Sequence, residues 1–138
     1  MLRISQDTAE IDRQRLYGWL NDAYWARTRP SAVIDRSLEN SLCFSAWDGD
    51  EMIGFARVVT DYATFAWLCD VFVDKEHRGK GASRLLVQAA VEHPDLQTVR
   101  WMLGTRDAHG LYEKFGFEVT PDNGRFMTKN FPPRPPAN

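Results

Sequence analysis

The segment Val71-Phe72-Val73-Asp74-Lys75-Glu76-His77-Arg78-Gly79-Lys80-Gly81-Ala82-Ser83-Arg84 concentrates the chemistry of this sequence at one change of structure. An apolar run that reads as a buried strand stops, a basic turn with two glycines follows, and helical spacing begins. Glycine reaches left-handed backbone without steric cost, so such a turn can aim several N–H groups at one point. The first turn of the following helix adds its own unpaired N–H groups and the positive end of its dipole. Together they predict an anion site suited to a pyrophosphate. The spacing fits neither the P-loop, Gly-x-x-x-x-Gly-Lys-Ser/Thr, nor the dinucleotide fingerprint Gly-x-Gly-x-x-Gly. On residue chemistry alone, a solvated basic turn between strand and helix is the competing reading.

Asp70 is the one carboxylate in the apolar run from Phe65 to Val73. An unpaired buried carboxylate is expensive, so it must be hydrogen-bonded or functional. Pairing with Arg57 on the neighbouring strand and service as a catalytic base are the two readings. Asp61, in the loop before that run, is a second candidate base or a turn residue. His77, His93 and His109 read as solvated histidines. Cys43 and Cys69, in no CxxC or Cys/His array, offer neither a disulfide scaffold nor a metal site.

These residues need elements to position them. Residues 1–5 form a short candidate strand. Asp7-Thr8-Ala9-Glu10 resembles a helix start, and Leu16, Trp19, Leu20 and Ala23 continue one buried face to about Ala26, short of Pro30. Ser31 can cap a second helix carrying Val33, Ile34 and Leu38. From Leu42 to Trp47 the period changes to two, Asp48-Gly49-Asp50 signals a hairpin, and Ile53 to Val59 resumes the alternation. The run to Val73 suits a strand buried on both faces. Leu85, Leu86, Ala89 and Ala90 form a helix ended by His93-Pro94, and Thr98 to Leu103 a further strand. Asp107 can cap a short helix with Leu111, Tyr112 and Phe115, closed by a left-handed Gly116. Phe117 to Val119 and Arg125 to Phe131 read as a last hairpin around Pro121-Asp122-Asn123-Gly124. The result is one mixed α/β domain over residues 1–131, with a proline-rich tail over 132–138.

Arg78-x-x-Gly81-x-Ser83 resembles the Arg/Gln-x-x-Gly-x-Gly/Ala acetyl-CoA loop of the GNAT superfamily of N-acetyltransferases, with Ser83 in place of the usual Gly or Ala. Leu111-Tyr112-Glu113-Lys114-Phe115-Gly116-Phe117 is similar to that family's LYEKLGF element, and the order of elements matches as well. The resemblance implies a three-layer fold whose central sheet is mixed, mostly antiparallel, and flanked by helices. It implies acetyl-CoA as cosubstrate, no metal, and transfer of acetyl to a primary amine of a small molecule or peptide within a ternary complex. Val71, Phe72 and Val73 would pair with the pantetheine arm, and Arg78, Gly79, Lys80, Gly81, Ala82, Ser83 and Arg84 would hold the pyrophosphate. Tyr112 would be the acid for the departing thiolate, since phenol and thiol have ordinary pKa values of about 10 and 8.5. Asp70 is the leading candidate for the base; the position before it, a glutamate in some relatives, is Cys69. The connection Tyr24-Trp25-Ala26-Arg27-Thr28-Arg29 falls where the fold places its acceptor: Tyr24 and Trp25 as walls, Arg27 or Arg29 for a carboxylate. A dimer is a family-based expectation, and a non-catalytic acyl-CoA-binding module of the same fold is the alternative function.

Composition narrows the partners. Seventeen Lys and Arg against nineteen Asp and Glu, with no face-long basic run, argue against nucleic acid. No apolar stretch is long enough for a signal peptide core or a membrane span, so the cytoplasm is the expected compartment. If the glycine turn holds a pyrophosphate, millimolar acetyl-CoA raises the melting temperature by linkage, and Gly81→Asp abolishes the rise. A thermal shift assay in which the folded wild type does not respond removes the phosphate site.

Overall fold

The sheet is built on Leu42–Asp48 and Glu51–Thr60, buried on both faces, while the strand over 65–73, expected to be buried on both faces, leaves Phe65 and Trp67 exposed. The computed structural model describes residues 1–121 and 124–129. In it β1 (Leu2–Ser5), β2 (Leu42–Asp48), β3 (Glu51–Thr60), β4 (Phe65–Val73) and β5 (Arg100–Met102) lie side by side in chain order. The first three pairings are antiparallel and the β4–β5 pairing is parallel. The β2–β3 hairpin turns on Gly49, whose φ of +61° is left-handed backbone.

Each face of the sheet buries its own apolar cluster. On one side α1 (Arg13–Asp22) and α2 (Ser31–Glu39) supply Leu16, Trp19, Leu20, Ile34 and Leu38, which pack on Cys43, Trp47, Met52 and Phe55. On the other, α3 (Ala82–Val91) brings Ala82, Leu86, Val87 and Ala90 against Phe44, Ile53, Ala56, Val58 and Leu68. The short α4 (His109–Glu113) adds Tyr112 to this second cluster. The result is the expected three-layer α/β arrangement.

Several local expectations are corrected. Asp7 caps only a single 3-10 turn, Thr8–Glu10, while Asp12 accepts from the Arg15 N–H and starts α1. The helix ends at Asp22 rather than Ala26, because Ala23 turns extended and the chain continues in tight turns closed by Ala26 N–H to Ala23 O and Arg29 N–H to Ala26 O. Pro30, not Ser31, holds the N-cap position of α2, and its fixed φ of −63° suits that place. Ala108 precedes α4 instead of Asp107, its N–H satisfied by the Thr105 hydroxyl. The strand expected over 98–103 is confined to Arg100–Met102. Residues 117–119 and 125–129 form no strand: Phe117 packs on Trp101 and Tyr112, and Val119 and Met127 are exposed. The remainder of that hairpin, Asp122, Asn123, Asn130 and Phe131, and the tail 132–138, lie outside the described residues.

Gly54 in β3 sets how closely α3 approaches the sheet. A Cβ there would stand 3.1 Å from Leu86 Cδ1 and 3.1 Å from the Phe72 carbonyl oxygen. The first neighbour can rotate away; the second is backbone of β4. Gly54→Ala is therefore expected to lower stability by about 1–3 kcal/mol, the usual cost of overpacking. Urea denaturation checks this, and an unchanged midpoint would show that β4 yields freely.

Candidate active site

The sheet opens between its last two strands. β5 pairs with β4 only through Phe65, Ala66 and Trp67, whereas β4 continues to Val73. Past Trp67 the β5-facing edge of β4 is therefore released. The Asp74 N–H donates to the Ile53 carbonyl on β3, so strand alternation turns the peptide groups of Val73 and Val71 towards the open side. A backbone edge of this kind accepts an extended amide-bearing chain as an added strand.

A bulge lies in the same stretch. Phe55 faces Phe72 and Arg57 faces Cys69, so the single residue Ala56 opposes both Asp70 and Val71. Asp70 takes the left-handed conformation, φ +53°. Its side chain is thereby carried out of the phase of Ala66 and Leu68 to the face of Arg57. There the carboxylate, in a residue only 4% exposed, accepts from Trp25 Nε1 at 2.9 Å, Arg29 Nη1 at 2.8 Å and Arg57 Nε at 2.9 Å. Burial alone would raise this carboxyl's pKa, but the Arg29 hydrogen bond and the charges of Arg57 and Arg29 outweigh it and hold the pKa below the ordinary value. Arg57 Nη1 also donates to the Ser41 hydroxyl at 3.1 Å. Strand β4, strand β3 and the α1–α2 connection are thus tied at one carboxylate.

At the end of β4, Gly79 and Gly81 both adopt left-handed backbone, φ +83° and +85°, with open space where a side chain would begin. Gly81 is the residue before α3 and no side chain caps that helix, so its first N–H groups are free to meet a ligand. Arg78 lies over the Phe72 ring and donates to the Val73 carbonyl. Lys80 stands 3.7 Å from Asp48. Arg84 is exposed.

On the far side of the opening, Tyr112 is 8% exposed within the α3-side core. Its hydroxyl has no hydrogen-bond partner among the described residues, yet no buried side-chain oxygen or nitrogen there is unpartnered. The ring is therefore buried and the oxygen reaches accessible space. Burial, with a smaller contribution from Tyr24, pushes this phenol up to about 12. Tyr112, Trp101 and Phe117 are walls of a cavity of about 240 Å³ between β5, α4 and residues 117–120. Tyr24 in turn packs edge-on to Trp25, 5.0 Å between centroids, and carries Arg106 over its ring at 4.0 Å. Contacts thus run continuously from the β5–α4 loop across the α1–α2 connection to Asp70.

The Acetyltransferase (GNAT) family profile matches residues 7–117. The chain belongs to the GNAT acetyltransferase family. A crystal structure of a GNAT-family protein from Xanthomonas campestris pv. campestris, provisionally assigned as an acetyltransferase, is 41% identical and superposes with a TM-score of 0.90, covering 94% of this chain and 93% of that one. The acetyltransferase FG08082 of Gibberella zeae, also a provisional assignment, is 31% identical over 113 residues, which are 66% of this chain and 63% of that protein. The peptidyl-lysine N-acetyltransferase YjaB of Salmonella typhimurium is 29% identical, over 75% of this chain and 68% of that protein. The chain thus spans less than two thirds of the Gibberella relative. Family membership implies acetyl-CoA as cosubstrate.

Against this GNAT frame the residues expected from sequence sort clearly. Tyr24 packs on Trp25, which donates to Asp70, Tyr112 lies near enough to Tyr24 for that residue to raise its pKa, and Gly79 to Arg84 form the turn that follows β4. Arg27 is exposed and makes no hydrogen bond or ion pair among the described residues; Arg29 is the arginine of that connection which turns inward. Asp61 is a turn residue, accepting from Ala63, Thr64 and Phe65 N–H groups and the Thr64 hydroxyl, which hold its carboxyl well below the ordinary range. Arg106 gave no signal in sequence.

The bonded state of Asp70 has a measurable consequence. Its folded pKa is depressed, so its contribution is fully present above the unfolded value near 4 and is lost as pH falls through the folded value. Asn tolerates left-handed backbone as Asp does, so Asp70→Asn removes the charge with little added strain. It leaves two guanidiniums without a counter-charge, and a loss of about 3 kcal/mol at neutral pH is expected. In urea titrations the gap between wild type and variant should narrow as pH falls below the ordinary carboxyl range of about 4. A gap that is constant with pH would show that the charge contributes nothing.

Proposed function

We propose that the protein transfers an acetyl group from acetyl-CoA to a primary amine by direct attack. One observation carries the reading: a largely buried tyrosine whose hydroxyl stays accessible and has no partner among the described residues, together with a strand edge released from its neighbour and ending in a glycine turn. In this reading the N–H groups from Gly79 to Arg84 hold the pyrophosphate, and Val71 and Val73 pair with the pantetheine arm. A strand N–H polarises the thioester carbonyl. The family likeness to peptidyl-lysine acetyltransferase YjaB is in keeping with an amine acceptor.

The amine lone pair attacks the carbonyl carbon, the C–S bond breaks, CoA leaves as thiolate, and the new amide nitrogen loses its proton. Asp70 is a poor acceptor for that proton, since its oxygens are engaged by Trp25, Arg29 and Arg57. We assign Asp70 as the residue that fixes the acceptor wall, and water as the proton acceptor. The raised phenol alters the role of Tyr112. Full transfer from a group near 12 to a thiolate of about 8.5 is uphill by about 5 kcal/mol. Tyr112 instead serves as a hydrogen-bond donor to the sulfur as charge develops there, and keeps its proton at every working pH.

Tyr112→Phe keeps the ring and deletes the donor. The expected result is a fall in kcat of roughly 10²-fold with little change in acetyl-CoA affinity. In the wild type the rate should rise with pH as the acceptor amine deprotonates, with no loss from Tyr112 up to about pH 10. Undiminished kcat in Tyr112→Phe, with chemistry rate-limiting, would return Tyr112 to a packing role. Binding of acetyl-CoA without CoA release across an amine panel would leave the binding-module reading standing.

A further inference from the structure

The acceptor end carries more positive than negative charge. Arg29 and Arg57 share the one carboxylate of Asp70, and they form no other ion pair among the described residues. Arg57 is largely buried, its side chain 12% exposed, and Arg29 is three-quarters covered at 25%. Cys43 and Cys69 lie close enough to influence Arg57, but burial pushes these thiols up to about 12 and about 11, so they bring no compensating charge. Arg106 adds a third guanidinium on the Tyr24 ring and has no carboxylate partner among the described residues.

The donors tell the same story as the charges. Arg29 uses Nη1, and Arg57 uses Nε and Nη1. Arg29 Nε and Nη2 and Arg57 Nη2 have no acceptor among the described residues, and since no buried side-chain nitrogen there is unpartnered, they open on accessible space. Guanidinium forks of this kind match carboxylates in shape as well as charge. Partial burial strengthens the attraction relative to open surface. A purely cationic acceptor such as a polyamine would meet repulsion at the same place.

We infer that the acceptor is an amine that also carries a carboxylate, of the free amino acid class, with Arg29 receiving the carboxylate and Arg106 at the rim of its approach. The inference rests on the acetyl-transfer reading for its choice of amine, but the carboxylate subsite can be tested without turnover. Calorimetry with CoA present compares N-acetyl amino acids with the corresponding N-acetyl carboxamides. The acid should bind tenfold or more tightly, the advantage should shrink with salt, and Arg106→Gln, on an exposed side chain, should reduce it. Arg29→Gln should abolish it, raising KM for free amino acids by a clearly larger factor than KM for their carboxamides. Equal binding of acid and carboxamide overturns the inference, as does CoA release with polyamines but not with amino acids; in the second case acetyl transfer stands. Selective binding of the acid with no CoA release from any amine keeps the carboxylate subsite and overturns acetyl transfer.

Discussion

A carboxylate placed 4% exposed in the middle of a sheet must be satisfied from several directions at once, and Asp70 is satisfied by three side chains from two separate pieces of chain. Trp25 and Arg29 come from the connection between α1 and α2, and Arg57 from the adjacent strand. Remove the carboxylate and two guanidiniums are left facing one another in partial burial. The connection over the sheet then loses both hydrogen bonds by which it reaches β4. An apolar residue at position 70 could supply burial, but it could not specify which of several polar side chains comes inward. The buried ion pair therefore acts as a register pin, a role for which its directional bonds suit it better than its net energy does.

The bulge is what makes that pin available. One additional residue opposite Ala56 rotates the rest of β4 by half a strand period. Ala66 and Leu68 pack under α3, Asp70 crosses to the α1–α2 side, and beyond it Val71 and Val73 return to the α3 cluster while Phe72 meets Trp19. The same length of β4 lies past its last pair with β5. Strand divergence and phase slip thus coincide, so one stretch of β4 carries the released edge, the Asp70 cluster and, at its end, the glycine turn.

These features were unequally legible in sequence. The turn from Arg78 to Arg84 was readable because glycine, cation and helix start each have a strong local signature, and both left-handed glycines are where that signature needs them. The Asp70–Arg57 pair was readable because a lone carboxylate in an apolar run demands a cation. Which arginine of Arg27 and Arg29 turns inward was not readable: both precede Pro30, and the tight turns after Ala23 decide the matter through backbone geometry that neither side chain encodes. The bulge was hidden for a related reason. In β4 the exposed Phe65 and Trp67 are as apolar as the buried Ala66 and Leu68, so there is no polar alternation against which a one-residue slip would show. Tyr112 was legible as a residue but not in its acidity, because the shift comes from burial by distant parts of the chain.

Net charge misleads for this protein in an instructive way. The chain as a whole is −2, yet both ends of the released stretch of β4 present donors of a kind that suits anions. At one end the means are backbone N–H groups and a helix terminus, which carry no formal charge and are invisible to composition. At the other they are guanidiniums that outnumber their carboxylate. Much of the acidic excess is engaged or exposed elsewhere: Glu51 and Asp74 converge on Arg15, Asp35 binds Arg13 and Tyr17, and Glu10 binds Arg3. The Glu51, Asp74 and His77 cluster is accordingly a counter-ion for Arg15. Over distances beyond a Debye length the exposed carboxylates are screened, whereas groups within a partly desolvated crevice are not. What a ligand meets on arrival is the local surplus, and that surplus is set by which side chains the bulge and its single carboxylate draw inward.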